Sequence, residues 1–114
     1  MDGKILRRDI YWANLNPTRG REQGGTRPVL IISNNIFNQR SGTVVALAIT
    51  SVEPKVKYPL VKELICSTLP KSSWVKITQI RTISTERIEN YIGQIAANQM
   101  NEIMLAIDDL IKRD

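Results

Sequence analysis

The 114 residues include 42% hydrophobic and 24% charged side chains, a length that suits one core and hardly two, so a single soluble globular domain over residues 1–114 is expected. Histidine is absent and cysteine occurs once, which excludes zinc or haem ligation, Ser-His and Cys-His nucleophile pairs, a histidine-based RNA-cleaving dyad and an internal disulfide. The formal net charge is +5, an excess that favours a polyanionic partner, either a nucleic acid or an acidic protein segment. In chain order, residues 1–8 are basic but lack the apolar stretch of a secretory signal. Residues 9–15 (DIYWANL) alternate and are rich in strand formers, which predicts a first strand. Asn16 and Pro17 end it. Residues 16–26 (NPTRGREQGGT) hold glycines and arginines and nothing aliphatic or aromatic, the chemistry of a surface loop.

The apolar run 29–32 predicts a strand buried on both sides. Ser33, Asn34 and Asn35 suit the cap of a short helix over 36–40, and Ser41-Gly42 turns the chain. Residues 43–50 (TVVALAIT), dense in β-branched side chains, predict another strand. The longest apolar run, 44–49, is far short of the roughly 20 residues that span a bilayer. Pro54, Pro59 and Pro70 restrict the next stretch to short edge strands. Cys66, after Leu64-Ile65, reads as a small core residue, and one unpaired cysteine fits a reducing cytoplasm. Residues 73–83 alternate almost throughout, with Trp74, Lys76, Thr78, Ile80 and Thr82 on one face and Val75, Ile77, Gln79, Arg81 and Ile83 on the other. A capped turn over 84–87, a strand over 88–95 and a helix over 98–112 complete the chain. That helix carries Ile103, Ile107, Leu110 and Ile111 on one stripe, with Lys112 and Arg113 against its dipole. Charge is uneven: residues 1–85 hold 13 Lys/Arg against 5 Asp/Glu, whereas residues 86–114 hold 3 against 6. The expected fold is α+β: a small, SH3-like, strongly bent sheet or half-barrel with the terminal helix packed on it.

Three stretches together resemble the MazF/PemK family of toxin-antitoxin systems. The first joins Asp9-Ile10-Tyr11-Trp12, Leu15-Asn16-Pro17 and Glu22-Gln23-Gly24-Gly25-Thr26-Arg27-Pro28-Val29-Leu30. The others are Ala48-Ile49-Thr50 and Gln79-Ile80-Arg81-Thr82-Ile83. Their order and spacing cover about residues 8–105. The resemblance implies a homodimer of CcdB/PemK-type, SH3-like barrels that cleaves single-stranded RNA without a metal or other cofactor. It also implies an acidic, MazE-like antitoxin covering the RNA site, and a catalytic pair at Arg27 and Thr50.

Metal-free cleavage uses the substrate's own 2′-hydroxyl as nucleophile, so the protein must position it, stabilise the charge at phosphorus and manage two protons. Arg27 offers a planar donor fork that matches phosphate oxygens. With a pKa above about 12 it is poorly matched to the role of base. Thr50 can hold a phosphate oxygen, and Glu22 is the one carboxylate of the loop and so the candidate base, with solvent as its competitor. Arg19, Arg21, Gln23, Gly24, Gly25, Gln79 and Arg81 are the candidate RNA contacts, while Trp12 and Trp74 suit base stacking, the core or a dimer contact. Plain structural readings stand beside these. Arg27 can be a surface arginine held extended by Pro28, Thr50 the cap of a turn, and Glu22 a solvated charge.

Some positions depart from the family pattern. Many members have Gly-Asp where this chain has Arg8-Asp9, and some have histidine at the position of Arg21. Several carry a carboxylate where Thr78 stands. A non-enzymatic topoisomerase poison of the CcdB-like branch is the alternative from another class; it ends in Trp-Gly-Ile, whereas this chain ends in Ile111-Lys112-Arg113-Asp114. A weakened module that only binds RNA or antitoxin is a third reading.

Overall fold

The computed structural model describes residues 4–16, 20, 24–56 and 59–112. Six strands and two helices run in the order β1 (Asp9–Asn14), β2 (Thr26–Ile31), α1 (Asn35–Arg40), β3 (Thr43–Thr50), β4 (Val61–Leu64), β5 (Ser73–Ser84), β6 (Ile88–Gln94) and α2 (Ala97–Ile111), with a 3-10 turn at Thr85–Arg87. The strands form one sheet in the order β4-β5-β3-β2-β1-β6, and every neighbouring pair is antiparallel. The expected α+β bent sheet with a terminal helix is what the chain forms.

Both faces of this sheet are covered, which explains why the central strands are apolar on both sides. One face carries Ile10, Leu30, Leu47, Ile49, Val75 and Ile77 and packs against Met100, Ile103, Ala106 and Ile107 of α2. The other carries Tyr11, Ala13, Val29, Ile31, Ala46 and Ala48, and Ile5, Ile88 and Ile83 close over it. Each fully buried side chain of this size contributes about 1.5–3 kcal/mol. Helix α2 has no side-chain cap at Ala96, so its stability rests on this packing. The anticipated stripe on α2 holds at Ile103 and Ile107, but Leu110 is 36% and Ile111 70% exposed. The helix has run past the sheet by then, and the inward positions nearer its start are Gln99 and Met100. Helix α1 is capped as expected, with the Asn34 side chain accepting from the Phe37 amide.

Among the described residues, three irregularities of register interrupt the sheet. Between Leu47 and Ile49 of β3 the partner on β5 moves from Ile80 to Val75, so β5 carries three extra residues there. An odd number of extra residues reverses the faces, as expected of a bulge. Val75 and Ile77 therefore lie under α2, whereas Ile83 lies in the other cluster. The single alternating face expected for Val75, Ile77, Gln79, Arg81 and Ile83 is thus divided. Further irregularities lie between β1 and β6, after Ile10 and after Tyr11.

Arg8 enters β1 at φ 81°, a conformation that favours glycine. Many members of the family that the sequence resembles have glycine at that position. Asp9 is buried and accepts from the Leu6 amide at 2.9 Å and from Gln94 Nε2 at 3.0 Å. Burial first, and then the neighbouring Asp9 carboxylate, push the Tyr11 phenol up to about 12. Cys66 is half-buried and packs against the edge of the α2-side core, with its thiol 3.2 Å from Thr68 Oγ1. No described helix is long and apolar enough to cross a membrane.

Candidate active site

The β2–β3 ladder pairs Val29 with Ala48, Leu30 with Leu47 and Ile31 with Ala46, and its recorded pairs stop there. Continuing that register by two residues sets Arg27 opposite Thr50, just beyond the last pair. Antiparallel partners share a face, and Val29 and Ala48 belong to the cluster opposite α2. Arg27 also faces Ala13 across β1, a residue of the same cluster. On β5, Arg81 pairs with Ala46, which puts it on that face too. Register therefore assigns Arg27, Thr50 and Arg81 to one sheet face, Arg27 and Thr50 at the end where β2 and β3 part and Arg81 opposite Ala46, four positions along β3 from Thr50.

Pro28 stands within β2, where a proline would ordinarily break a central ladder. It pairs with Trp12 on the β1 side but has no recorded partner on β3, so its missing amide costs no ladder bond. Arg27 and Thr26 sit at the end of β2 that is laddered to β1 alone. A cavity of 180 Å³ opens there, lined by Arg27, Pro28, Trp12, Ile49, Ser51 and Ser73 among others. Thr50 instead lines a groove of 490 Å³ with Glu53, Lys76, Thr78 and Gln79. Arg81 and Gln79 share a third hollow with Thr78. Thr50 and Gln79 are thus brought together, as are Gln79 and Arg81. Arg27 faces Thr50 by strand position but lines a different hollow.

Local bonds hold the two central side chains. Arg27 is half-buried, and its Nε donates to the Gly24 carbonyl at 3.0 Å, which leaves the terminal nitrogens of the guanidinium to meet an anion. Thr50 is 5% exposed, and its Oγ1 accepts from the Val52 amide at 3.1 Å. The turn-capping role therefore exists, and the hydroxyl proton is still free to donate to an incoming oxygen. Gly25 takes φ 78° with open space around its α-carbon, so it is required for the turn of the chain rather than for a close contact. Arg19, Arg21, Glu22 and Gln23, all named from sequence, lie outside the described residues.

Sequence reasoning passed over two cations. Lys76 lines the groove beside Thr50; the sequence pattern placed it only on one face of the 73–83 strand. Arg87 reaches back from the 3-10 turn to the Asn16 carbonyl, a contact across 71 positions that no local pattern announces. Among the described residues, no set of three or more His, Cys, Asp or Glu side chains could hold a metal ion.

A small bent-sheet protein whose Arg27, Arg81, Lys76 and Thr50 line three open hollows belongs to a class suited to engaging anions. Comparison with known proteins identifies the class further. The profile described as the PemK-like, MazF-like toxin of type II toxin-antitoxin systems matches residues 6–111. Endoribonuclease MazF of Staphylococcus saprophyticus is 40% identical over 106 residues, which are 91% of this chain and 88% of that protein. The crystal structure of MazF from Deinococcus radiodurans superposes with a TM-score of 0.85 at 26% identity, covering 96% of this chain and 98% of that one. A MazE-MazF structure from the same organism gives 0.78 at 25% identity, covering 96% and 97%. The chain belongs to the PemK-like, MazF-like toxin family.

Proposed function

We propose that this protein is the endoribonuclease toxin of a toxin-antitoxin system and that it cleaves single-stranded RNA at a preferred short sequence without a metal ion. The observation that supports the reading is the β2–β3 register, which, continued two residues past Val29 and Ala48, sets Arg27 opposite Thr50 where the two strands part. In this mechanism the substrate's 2′-hydroxyl attacks the adjacent phosphorus. The bond to the 5′-oxygen breaks as that oxygen takes a proton from Arg27 or from solvent, and the products end in a 2′,3′-cyclic phosphate and a 5′-hydroxyl. Arg27 stabilises the charge on the phosphoryl oxygens and Thr50 donates a hydrogen bond to one of them. Glu22 accepts the proton of the 2′-hydroxyl. Arg19, Arg21, Gln23, Gly24, Gly25, Gln79 and Arg81 contact the RNA. The working form is a homodimer in the cytoplasm, silenced by an acidic MazE-like antitoxin. The likeness to a MazE-MazF structure supports that partner.

The test is cleavage of single-stranded RNA in excess chelator, followed by analysis of the new ends. The expected result is undiminished cleavage, cyclic-phosphate ends, and a loss of at least about two orders of magnitude in Arg27→Ala, the scale of removing one donor to a developing oxyanion. Cleavage abolished by chelator, 5′-phosphate ends, or indifference to Arg27→Ala would overturn the mechanism.

A further inference from the structure

The loop between β1 and β2 has a stitched neck. The Leu15 amide donates to the Gly25 carbonyl at 2.9 Å, and the Gly25 amide donates to Asn16 Oδ1 at 3.0 Å. The Asn16 amide is in turn held by Asn14 Oδ1 at 3.0 Å. Two arginines from the far end of the chain reach this neck from outside. Arg87 Nη1 donates to the Asn16 carbonyl, and Arg81 Nη1 approaches the Leu15 carbonyl at 3.5 Å. On the inner side, the Gly24 carbonyl receives Arg27 Nε. A continuous path of hydrogen bonds and backbone thus runs from the 3-10 turn through the neck to the Arg27 guanidinium. Arg87 is well placed to start it. Ser84 caps the turn by accepting from the Glu86 amide, and the next residue, Ile88, pairs with Ala13 of β1. These two contacts fix both sides of Arg87 against the strand that leads into the loop.

We propose that Arg87, assisted by Arg81, is a positioning residue that clamps the neck of the β1–β2 loop and so sets the orientation of Arg27. The inference rests on the functional reading above. Charged donors hold carbonyl oxygens more firmly than neutral ones, and a displacement of about 1 Å in a group that positions a reaction can cost roughly 10²-fold in rate. For Arg81 this is a different duty from the direct RNA contact suggested by sequence. Its approach to Leu15 turns part of its donor set toward the protein, while its place beside Gln79 leaves the remainder facing the groove.

The experiment compares wild type, Arg87→Ala, Arg87→Lys, Arg27→Ala and the double variant Arg27→Ala/Arg87→Ala. It uses single-turnover cleavage of a long mixed-sequence single-stranded RNA, RNA affinity as a function of salt, and NMR amide exchange. Expected for Arg87→Ala is a fall in cleavage rate of about 10- to 100-fold with affinity and salt slope unchanged. Exchange should quicken at the Leu15 and Gly25 amides, and Arg87→Lys should recover much of the rate. The double variant should cleave no more slowly than Arg27→Ala alone. A salt slope reduced by about 0.7 with weakened binding would overturn the clamp and make Arg87 a phosphate contact, and unchanged exchange at the neck would also overturn it. Should Arg87→Ala fail to fold, Arg87→Lys and Arg87→Gln carry the same readouts. If wild type cleaves no RNA, the functional reading fails by itself, and the exchange measurement still decides whether the clamp exists.

Discussion

Arg8 shows how a single residue can be legible in sequence as an oddity and intelligible only in three dimensions. Its φ of 81° costs an ordinary side chain about 1–2 kcal/mol. The chain tolerates it because the Arg8 amide bonds the Ile31 carbonyl, its carbonyl takes the Ile95 amide, and Nη1 reaches the Ile95 carbonyl at 3.2 Å. Arg8→Gly relieves the strain but loses the side-chain bond and loosens the unfolded chain, each worth about 1 kcal/mol. Urea denaturation should therefore show Arg8→Gly within about 1 kcal/mol of wild type. Arg8→Val should lie about 2 kcal/mol below it, because a branched side chain adds strain at positive φ. A valine variant as stable as the glycine one would show that the backbone relaxes there. Arg27 and Thr50 are a contrasting case. Their residue types suggested phosphate chemistry from the start, but the bonds to Gly24 and Val52 that hold them could not be read from type alone.

Among the elements, β5 was the most misleading and β3 the most transparent. The β-branched run over Thr43–Thr50 makes a strand whatever its neighbours do. By contrast, the alternation of β5 survives in sequence while its bulge opposite Leu47 to Ile49 exchanges the two faces. A bulge is a property of pairing, and one strand's pattern does not encode it. Strand β6 carries a second constraint of this kind. A β-carbon on Gly93 would lie 2.1 Å from Thr68 Oγ1 and 3.1 Å from Cys66 Sγ, so the segment after β4 packs directly onto that glycine. Gly93→Ala should lower stability by about 1–3 kcal/mol, the usual cost of overpacking, and adding Thr68→Ala should restore most of it. Thermal melts of the single and double variants check this, and a destabilisation untouched by Thr68→Ala would locate the conflict elsewhere.

For the whole molecule, the decisive property is the separation of charge. Residues 1–85 hold the cationic excess and residues 86–114 the anionic one. The fold places α2, with Glu102, Asp108 and Asp109, against one sheet face, while Arg27 and Arg81 occupy the other. RNA affinity should accordingly fall with salt, by about 0.7 log units per log unit of salt for each phosphate neutralised on a single strand. Charge reversal at Glu102, across the sheet from the proposed site, should leave that slope nearly unchanged because screening acts over about 8–10 Å. A filter-binding titration across salt concentrations measures both, and a flat salt response would remove the basic face from the account.

By itself the sequence determined the composition-level exclusions, the approximate extents of the strands, the two helices and the motif that placed the chain in its family. These follow from local periodicity, turn chemistry and residue type, which act over a few positions at a time. The tertiary structure alone decided that β2 and β3 part beyond Val29 and Ala48, that β5 reverses its faces, and that Arg87 reaches the loop neck from 71 positions away. Those features depend on register and on contacts between distant segments. No window of the sequence contains both halves of such a contact.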